Sequence, residues 1–268
     1  MQLTLDRKET GQVAQKIVAF RTFIVNVCIV ELEDRVKKEW VLVDAGTSFS
    51  TNQIVETARK LFGPDSRPEA IVLTHGHFDH VGALLPLIRK WDVPVYAHEL
   101  EIPFLTGQTN YPPADPMVGG GLMAFISPMY PRRSIDLGDR VRALPADGRI
   151  PFMPGWHYVH TPGHTPGHIS LFRDQDRVLL SGDAIITVRQ ESAWAVLTQR
   201  KEIHGPPKYF TPDWKASKES VEKLAALQPS TLIPGHGLPM AGDELTKNLR
   251  MLVSHFEKIA VPRQGRYV

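Results

Sequence analysis

Apolar residues recur along the chain in two rhythms. Runs rich in Val and Ile at 17–20, 23–32 and 40–43 predict β-strands, with the charged stretch 31–39 as a hairpin loop between the last two. From 51 to 62 the spacing changes, and Ile54, Val55, Ala58 and Leu61 fall on one helical face before Gly63-Pro64 stops it. A short continuous apolar strand over 70–73 reads as an interior one. It is followed by a helix over 81–91, a strand over 93–96 and a short helix over 98–105.

The rhythm then fails. The segment at about 106–154 is rich in Pro, Gly and Met and contains Gly119-Gly120-Gly121, yet carries Met117, Leu122, Met123, Phe125, Met129 and Tyr130. A long irregular stretch with that apolar content predicts a packed lid rather than a disordered loop. Strands resume at 156–160, 169–172 and 178–180, and a second lid-like insertion at 189–211 carries Trp194, Tyr209 and Phe210. A helix over 212–227 with Pro212 in its first turn, a strand over 231–233 and a closing helix over 243–259 complete the order. The repeated succession of strands and helices predicts an α/β (α+β) chain: one domain over 1–268, built as two halves in a four-layer sandwich with helices outside.

Composition narrows the function classes. A 42% hydrophobic and 22% charged chain of net charge +2, without a dense Lys/Arg run, gives no reason to expect nucleic acid or an anionic membrane as partner. The single cysteine, Cys28, excludes an intramolecular disulfide. The first eight residues carry no apolar signal-like run and no stretch reaches membrane-spanning length, so a cytoplasmic protein is expected.

The chemistry concentrates behind the strand at 70–73. Thr74-His75-Gly76-His77-Phe78-Asp79-His80 crowds three imidazoles and a carboxylate together, an arrangement a fold gains little from unless a cation draws them in. In extended backbone His75 and His77 point the same way and can share one ion, while Asp79 and His80 are free to turn towards a second. Three more strand ends offer ligands: His164 and His168 in Thr161-Pro162-Gly163-His164-Thr165-Pro166-Gly167-His168, Asp183 in Ser181-Gly182-Asp183, and His236 in Pro234-Gly235-His236-Gly237. Pro and Gly make the tight turns that present one side chain at a strand end. Four such sites point to a two-metal centre.

Taken together, His75-Gly76-His77-Phe78-Asp79-His80, His164, Asp183 and His236 resemble the full motif set of the metallo-β-lactamase superfamily, spanning 44–236. The resemblance implies an αββα sandwich with the active site at one edge of its two sheets. It also implies roles: His75, His77 and His164 for the first ion, Asp79, His80 and His236 for the second, and Asp183 between them. Asp44, in Val43-Asp44-Ala45-Gly46, matches a residue that supports the site from behind, and His168 reads as a hydrogen-bonding neighbour. His98, His157, His160, His204 and His255 read as ordinary core or surface residues, with His204 best placed of these for substrate contact.

The expected chemistry is hydrolysis. Two divalent ions about 3.5 Å apart, Zn²⁺ first and Mn²⁺, Fe²⁺ or Co²⁺ as competitors, generate hydroxide at neutral pH and polarise an ester, lactone or thioester carbonyl. Asp79 is the candidate catalytic group, orienting the nucleophile and passing a proton to the leaving group. Within the superfamily the chain is most similar to bacterial metallo-hydrolases related to glyoxalase II and to quorum-quenching lactonases. True class B β-lactamases generally lack a bridging Asp at the position of Asp183, and many use a Cys ligand that Cys28 is badly placed to supply, so the resemblance implies β-lactam hydrolysis as at most a side activity. Many of those lactonases carry a Tyr where this chain has Ile186, leaving Tyr209 or a lid tyrosine to contact the carbonyl. Met123, Phe125, Met129 and Trp194 suggest an apolar substituent on a small-molecule substrate, and the lid is equally compatible with a homodimer contact. The rival readings are a mononuclear iron enzyme resembling persulfide dioxygenases, which needs only His75, His164 and Asp183, and a non-catalytic binding protein, which would be expected to have lost ligands.

Overall fold

A computed structural model describes residues 11–32, 38–132 and 134–268; most of the loop expected over 31–39, and the N-terminal segment, lie outside the described residues. Its first sheet has the strand order β1 (Gly11–Ala14), β2 (Ile17–Thr22), β3 (Val25–Glu31), β4 (Trp40–Val43), β5 (Ala70–Val72), β6 (Val95–Ala97) and β7 (Val141–Ala143). The second is formed by β8 (Trp156–His160), β9 (Ile169–Arg173), β10 (Val178–Gly182), β11 (Thr231–Pro234) and β12 (Met240–Ala241). The main helices are α1 (Thr51–Phe62), α2 (Phe78–Val81), α3 (Leu84–Trp91), α4 (Ile102–Leu105), α5 (Leu122–Phe125), α6 (Ala193–Thr198), α7 (Trp214–Ala226), α8 (Gly242–Ser254) and α9 (Phe256–Ile259).

Strand alternation sorts the core into layers. On β4, Trp40 and Leu42 pack with Ile54, Leu84 and Leu87 of the outer helices, whereas Val41 and Val43 face the second sheet. On β10, Val178 and Leu180 face the first sheet while Leu179 packs with Val221, Leu224 and Leu249 of α7 and α8. Both strands are apolar on both faces because both faces are covered. The three resulting interfaces are those of a four-layer αββα sandwich, as expected.

Several local expectations need correction. Phe23 does not continue β3; it sits at φ +63° in the β2–β3 turn and is exposed. The helix expected over 81–91 breaks at Gly82-Ala83 into α2 and α3, and the closing helix breaks at His255. Pro212 lies outside α7, because the Asp213 side chain accepts the Ala216 N–H at 2.9 Å and caps the helix one residue later. The irregular segment at 106–154 contains β7, which pairs in parallel with β6 at the sheet edge. Among the described residues no helix is long and apolar enough to cross a membrane.

Candidate metal centre

Parallel pairing gathers the motif residues. β4 and β5 run parallel, with Val43 beside Val72, so Asp44 and the Thr74–His80 turn emerge together at one sheet end. β10 and β11 are likewise parallel, with Leu180 beside Ile233, and deliver Asp183 and His236 together. The turn between β8 and β9 brings His164 and His168. The two sheets are tied at this edge: Asn26 Nδ2 donates to the Pro234 and Gly237 carbonyls at 2.9 and 2.7 Å, and Ile169 N–H donates to Thr74 O at 2.9 Å.

Two groups of donors converge within the combined edge. His75, His77 and His164 form one set and Asp79, His80 and His236 another, and a third set, His75, His80 and Asp183, spans the two, with ligand atoms in each lying within 4.8 Å of one another. Asp183 lies between them: Oδ1 is 3.4 Å from His80 Nε2, while Oδ2 is 3.1 Å from His236 Nε2 and 3.5 Å from His164 Nε2. All seven side chains are buried.

The donor set fits divalent cations. His77 Nδ1 is 2.9 Å from His164 Nε2 and 3.1 Å from His75 Nε2, close to the spacing of about 3.3 Å expected for nitrogens on one tetrahedral zinc. His80 Nε2 and Asp183 Oδ1 are buried without a hydrogen-bond partner, which is costly unless something else engages them.

Neighbouring groups fix which nitrogen faces inward. His80 Nδ1 donates to Asp44 Oδ2 at 2.8 Å, and Asp44 is itself held by the Thr74 N–H and hydroxyl, both at 2.8 Å. His236 Nδ1 donates to the Ile24 carbonyl at 2.8 Å, turning Nε2 to the site. His168 is engaged at both nitrogens: Nε2 accepts the Asp183 N–H at 2.9 Å and Nδ1 lies 2.9 Å from Thr161 Oγ1. It therefore anchors the Asp183 backbone and has no nitrogen left for an ion.

Electrostatics divide the two groups. Burial holds His75 and His164 well below the ordinary imidazole range and His77 down at about 3, helped in His75 and His164 by the crowding of other imidazoles. His80 and His236 are also buried, but the Asp183 carboxylate, with Asp44 and Asp79, raises both above that range. Asp183 itself is held well below the usual carboxylate range by His236 and His80 against the cost of burial, whereas burial raises Asp79.

Glu101, which the sequence did not single out, braces the site. Fully buried after β6, its Oε2 accepts the Gly76 N–H at 3.0 Å and the Tyr111 hydroxyl, and its Oε1 accepts Thr165 Oγ1 at 2.5 Å and the Gly167 N–H at 2.9 Å. One carboxylate thus joins the turn carrying His75 and His77 to the turn carrying His164. A Cβ on Gly76 would overlap the Tyr111 hydroxyl, so glycine permits this approach.

The other sequence candidates are dispersed. Tyr209 is buried, and Met123 packs with it and Tyr130 in a small cluster beside the site. Phe125, Met129 and Trp194 are 75%, 83% and 71% exposed. His204 is half-buried, bridged to Ile186 through its backbone and 3.5 Å from Glu202, outside both ligand groups.

Comparison with known proteins agrees with this architecture. Residues 21–236 match the metallo-beta-lactamase superfamily, and the chain belongs to that family. It is 47% identical to the probable metallo-hydrolase YflN of Bacillus subtilis (strain 168), over 97% of this chain and 98% of the relative. It is 26% identical to the hydroxyacylglutathione hydrolase GloC of Haemophilus influenzae, over 56% of this chain and 62% of that protein. A crystal structure of TTHA1623 in a di-iron-bound form superimposes with a TM-score of 0.56 at 26% identity, covering 87% of this chain and 97% of the other. The family and these names place the chain among metallo-hydrolases with a His/Asp cluster able to hold metal.

Proposed function

We propose that the protein is a binuclear metal-dependent hydrolase acting on an ester, lactone or thioester carbonyl. The observation that carries this reading is the convergence of two complete ligand groups on either side of one carboxylate, Asp183. His75, His77 and His164 would hold one ion and Asp79, His80 and His236 the other, with Asp183 available to both. Zinc suits these nitrogen and oxygen donors, and the di-iron form of TTHA1623 makes iron its chief competitor. Divalent ions so held supply Lewis acidity and make water nucleophilic near neutral pH.

The chain's own groups do the rest. Asp44 fixes the tautomer of His80, and His168 fixes the backbone of Asp183, so the ligands need little reorganisation. Asp79, raised by burial and 3.4 Å from His236 Nε2, takes the proton released as water attacks the carbonyl and returns it to the departing alcohol or thiol. Tyr209 and the neighbouring Tyr130, both raised by burial and by the charge of Asp79, are the candidate donors to the substrate carbonyl in place of the tyrosine that many related lactonases carry where this chain has Ile186.

Two ions per chain and turnover of a lactone, ester or thioester panel are expected from elemental analysis and a hydrolysis screen on the same preparation. One iron per chain with no turnover of the panel would overturn the binuclear hydrolase reading and support the mononuclear iron one. Full turnover at normal metal content in Asp183→Asn would remove Asp183 from its shared role.

A further inference from the structure

A cleft of about 160 Å³ opens directly beside His77 and His164. Its walls are the rings of Phe104, Tyr111, Phe210 and Tyr267 together with prolines of the adjoining loops. Phe104 and Tyr111 stack with centroids 4.2 Å apart, and the Phe210 ring lies 4.8 Å from the His77 imidazole. Tyr267 donates its hydroxyl to the Pro113 carbonyl at 2.7 Å, drawing the C-terminal segment across the far side.

Two properties define what fits. No Asp, Glu, Lys or Arg lines the cleft among the described residues, and its two phenols are already engaged, Tyr111 by Glu101 and Tyr267 by Pro113. Its other polar side chains are confined to the exposed Thr109 and Asn110 and the two imidazoles, so a charged group placed there meets no counter-charge from the walls, whereas an apolar group gains by leaving water. The volume sets the size, since an apolar cavity of about 150 Å³ holds one benzene.

We propose that this cleft is the subsite for an uncharged apolar substituent next to the scissile carbonyl, no larger than one phenyl ring or a chain of about six carbons. The proposal rests on the hydrolase reading and deepens it by naming the substrate class: neutral esters, lactones or thioesters bearing one small apolar group, rather than conjugates of a charged thiol. The exposed side chains of Phe125, Met129 and Trp194 do not line it.

The test has two arms. In the first, nitrophenyl esters of acetate, butanoate, hexanoate, decanoate and dodecanoate, and acetate esters of alcohols of the same lengths, are hydrolysed by the full chain. One series should peak by the six-carbon member and fall at least about tenfold in kcat/KM at ten carbons, and the series that does so tells which side of the bond the cleft serves. Tyr267→Ala should raise the ten-carbon to four-carbon ratio at least about tenfold. In the second arm, fluorobenzene binding is followed by fluorine NMR, and Thr109→Trp at the cleft mouth should abolish it. Fluorobenzene binding that Thr109→Trp abolishes, without hydrolysis of any ester, lactone or thioester, would leave the cleft an apolar binding site but overturn the hydrolase reading and, with it, the cleft's role as a substituent subsite. Hydrolysis that is flat across both series, or fluorobenzene binding indifferent to Thr109→Trp, would overturn the subsite.

Discussion

Glu101 accepts the backbone N–H of Gly76 at 3.0 Å, and through that bond a residue outside the metal motifs sets the position of the turn that carries His75 and His77. Its other oxygen accepts from Thr165 and Gly167, so both strands of support for the first ligand group end on one side chain. All four of its partners donate, a pattern only a carboxylate can match. In Glu101→Gln one oxygen becomes an NH₂ facing two donors. The expected cost is about 1.5–3 kcal/mol in stability from denaturant unfolding. Metal affinity, measured by chelator competition, should fall about 10–100-fold. Unchanged affinity in a destabilised variant would reduce Glu101 to a purely structural role.

Asp44 acts on the second group instead. Asp44 Oδ1 accepts the Thr74 N–H and Oδ2 accepts both the Thr74 hydroxyl and His80 Nδ1, so in Asp44→Asn an amide oxygen kept on the Thr74 N–H turns its NH₂ against His80. His80 is then free to turn or to change tautomer. Affinity for the ion bound by Asp79, His80 and His236 should drop about 10–100-fold while the His75, His77 and His164 group keeps its ion. Elemental analysis after dialysis should show metal content moving from two towards one per chain. Loss of both ions together would contradict this division.

The fold was legible where one physical signal dominated. The 3.6-residue spacing of Ile54, Val55 and Ala58 matches α1, and the apolar runs at 40–43 and 156–160 match β4 and β8. The ligand turns were readable because Gly and Pro punctuate them, and the structure brings all seven candidates together. β7 was not readable: it is three residues long, with Arg142 and Ala143 exposed, so it carries no apolar pattern and exists through pairing with β6. Glu101 was hidden for another reason. Its neighbours Glu99 and Leu100 are exposed, and nothing local marks the one acid of Glu99-Leu100-Glu101 that is buried against loops 25 and 66 residues away. For the apolar residues of the 106–154 segment, hydrophobicity alone does not say whether a side chain such as Phe125 or Met129 is buried, and both are exposed.

Proton linkage should separate the two ligand groups. His75, His77 and His164 are held below the ordinary imidazole range and are already neutral at neutral pH, so loading them displaces no proton. His80 and His236 are held above it by Asp183 and must lose protons before their nitrogens can bind an ion. Affinity of the second group should therefore rise with pH up to those raised values, and that of the first should be flat across neutrality. Calorimetric titration of the metal-free protein in buffers of different ionisation enthalpy reads this directly. Protons should be released in the weaker binding phase, and heats independent of buffer in both phases would refute the assignment.

Gly235 tests how tightly the shared carboxylate is confined. It precedes His236, its N–H donates to the Gly182 carbonyl at 2.8 Å, and its carbonyl accepts from the Asn26 N–H at 2.7 Å, so the backbone here cannot shift without breaking the tie between β10, β11 and β3. A Cβ at this position would overlap Asp183 Oδ1 and approach His80 Cε1 to 3.0 Å. Backbone conformation is not the obstacle, because the φ of Gly235 lies outside the left-handed region that alanine avoids. The added methyl must therefore push the Asp183 carboxylate away from its place between the two groups. Gly235→Ala should keep the native circular dichroism spectrum, since the methyl meets site atoms rather than the apolar core. Both ions should nonetheless bind more weakly, and hydrolysis should fall by at least about a hundredfold, the scale of a misplacement of about 1 Å in a catalytic group. Normal metal content with full turnover would show that Asp183 has room to move.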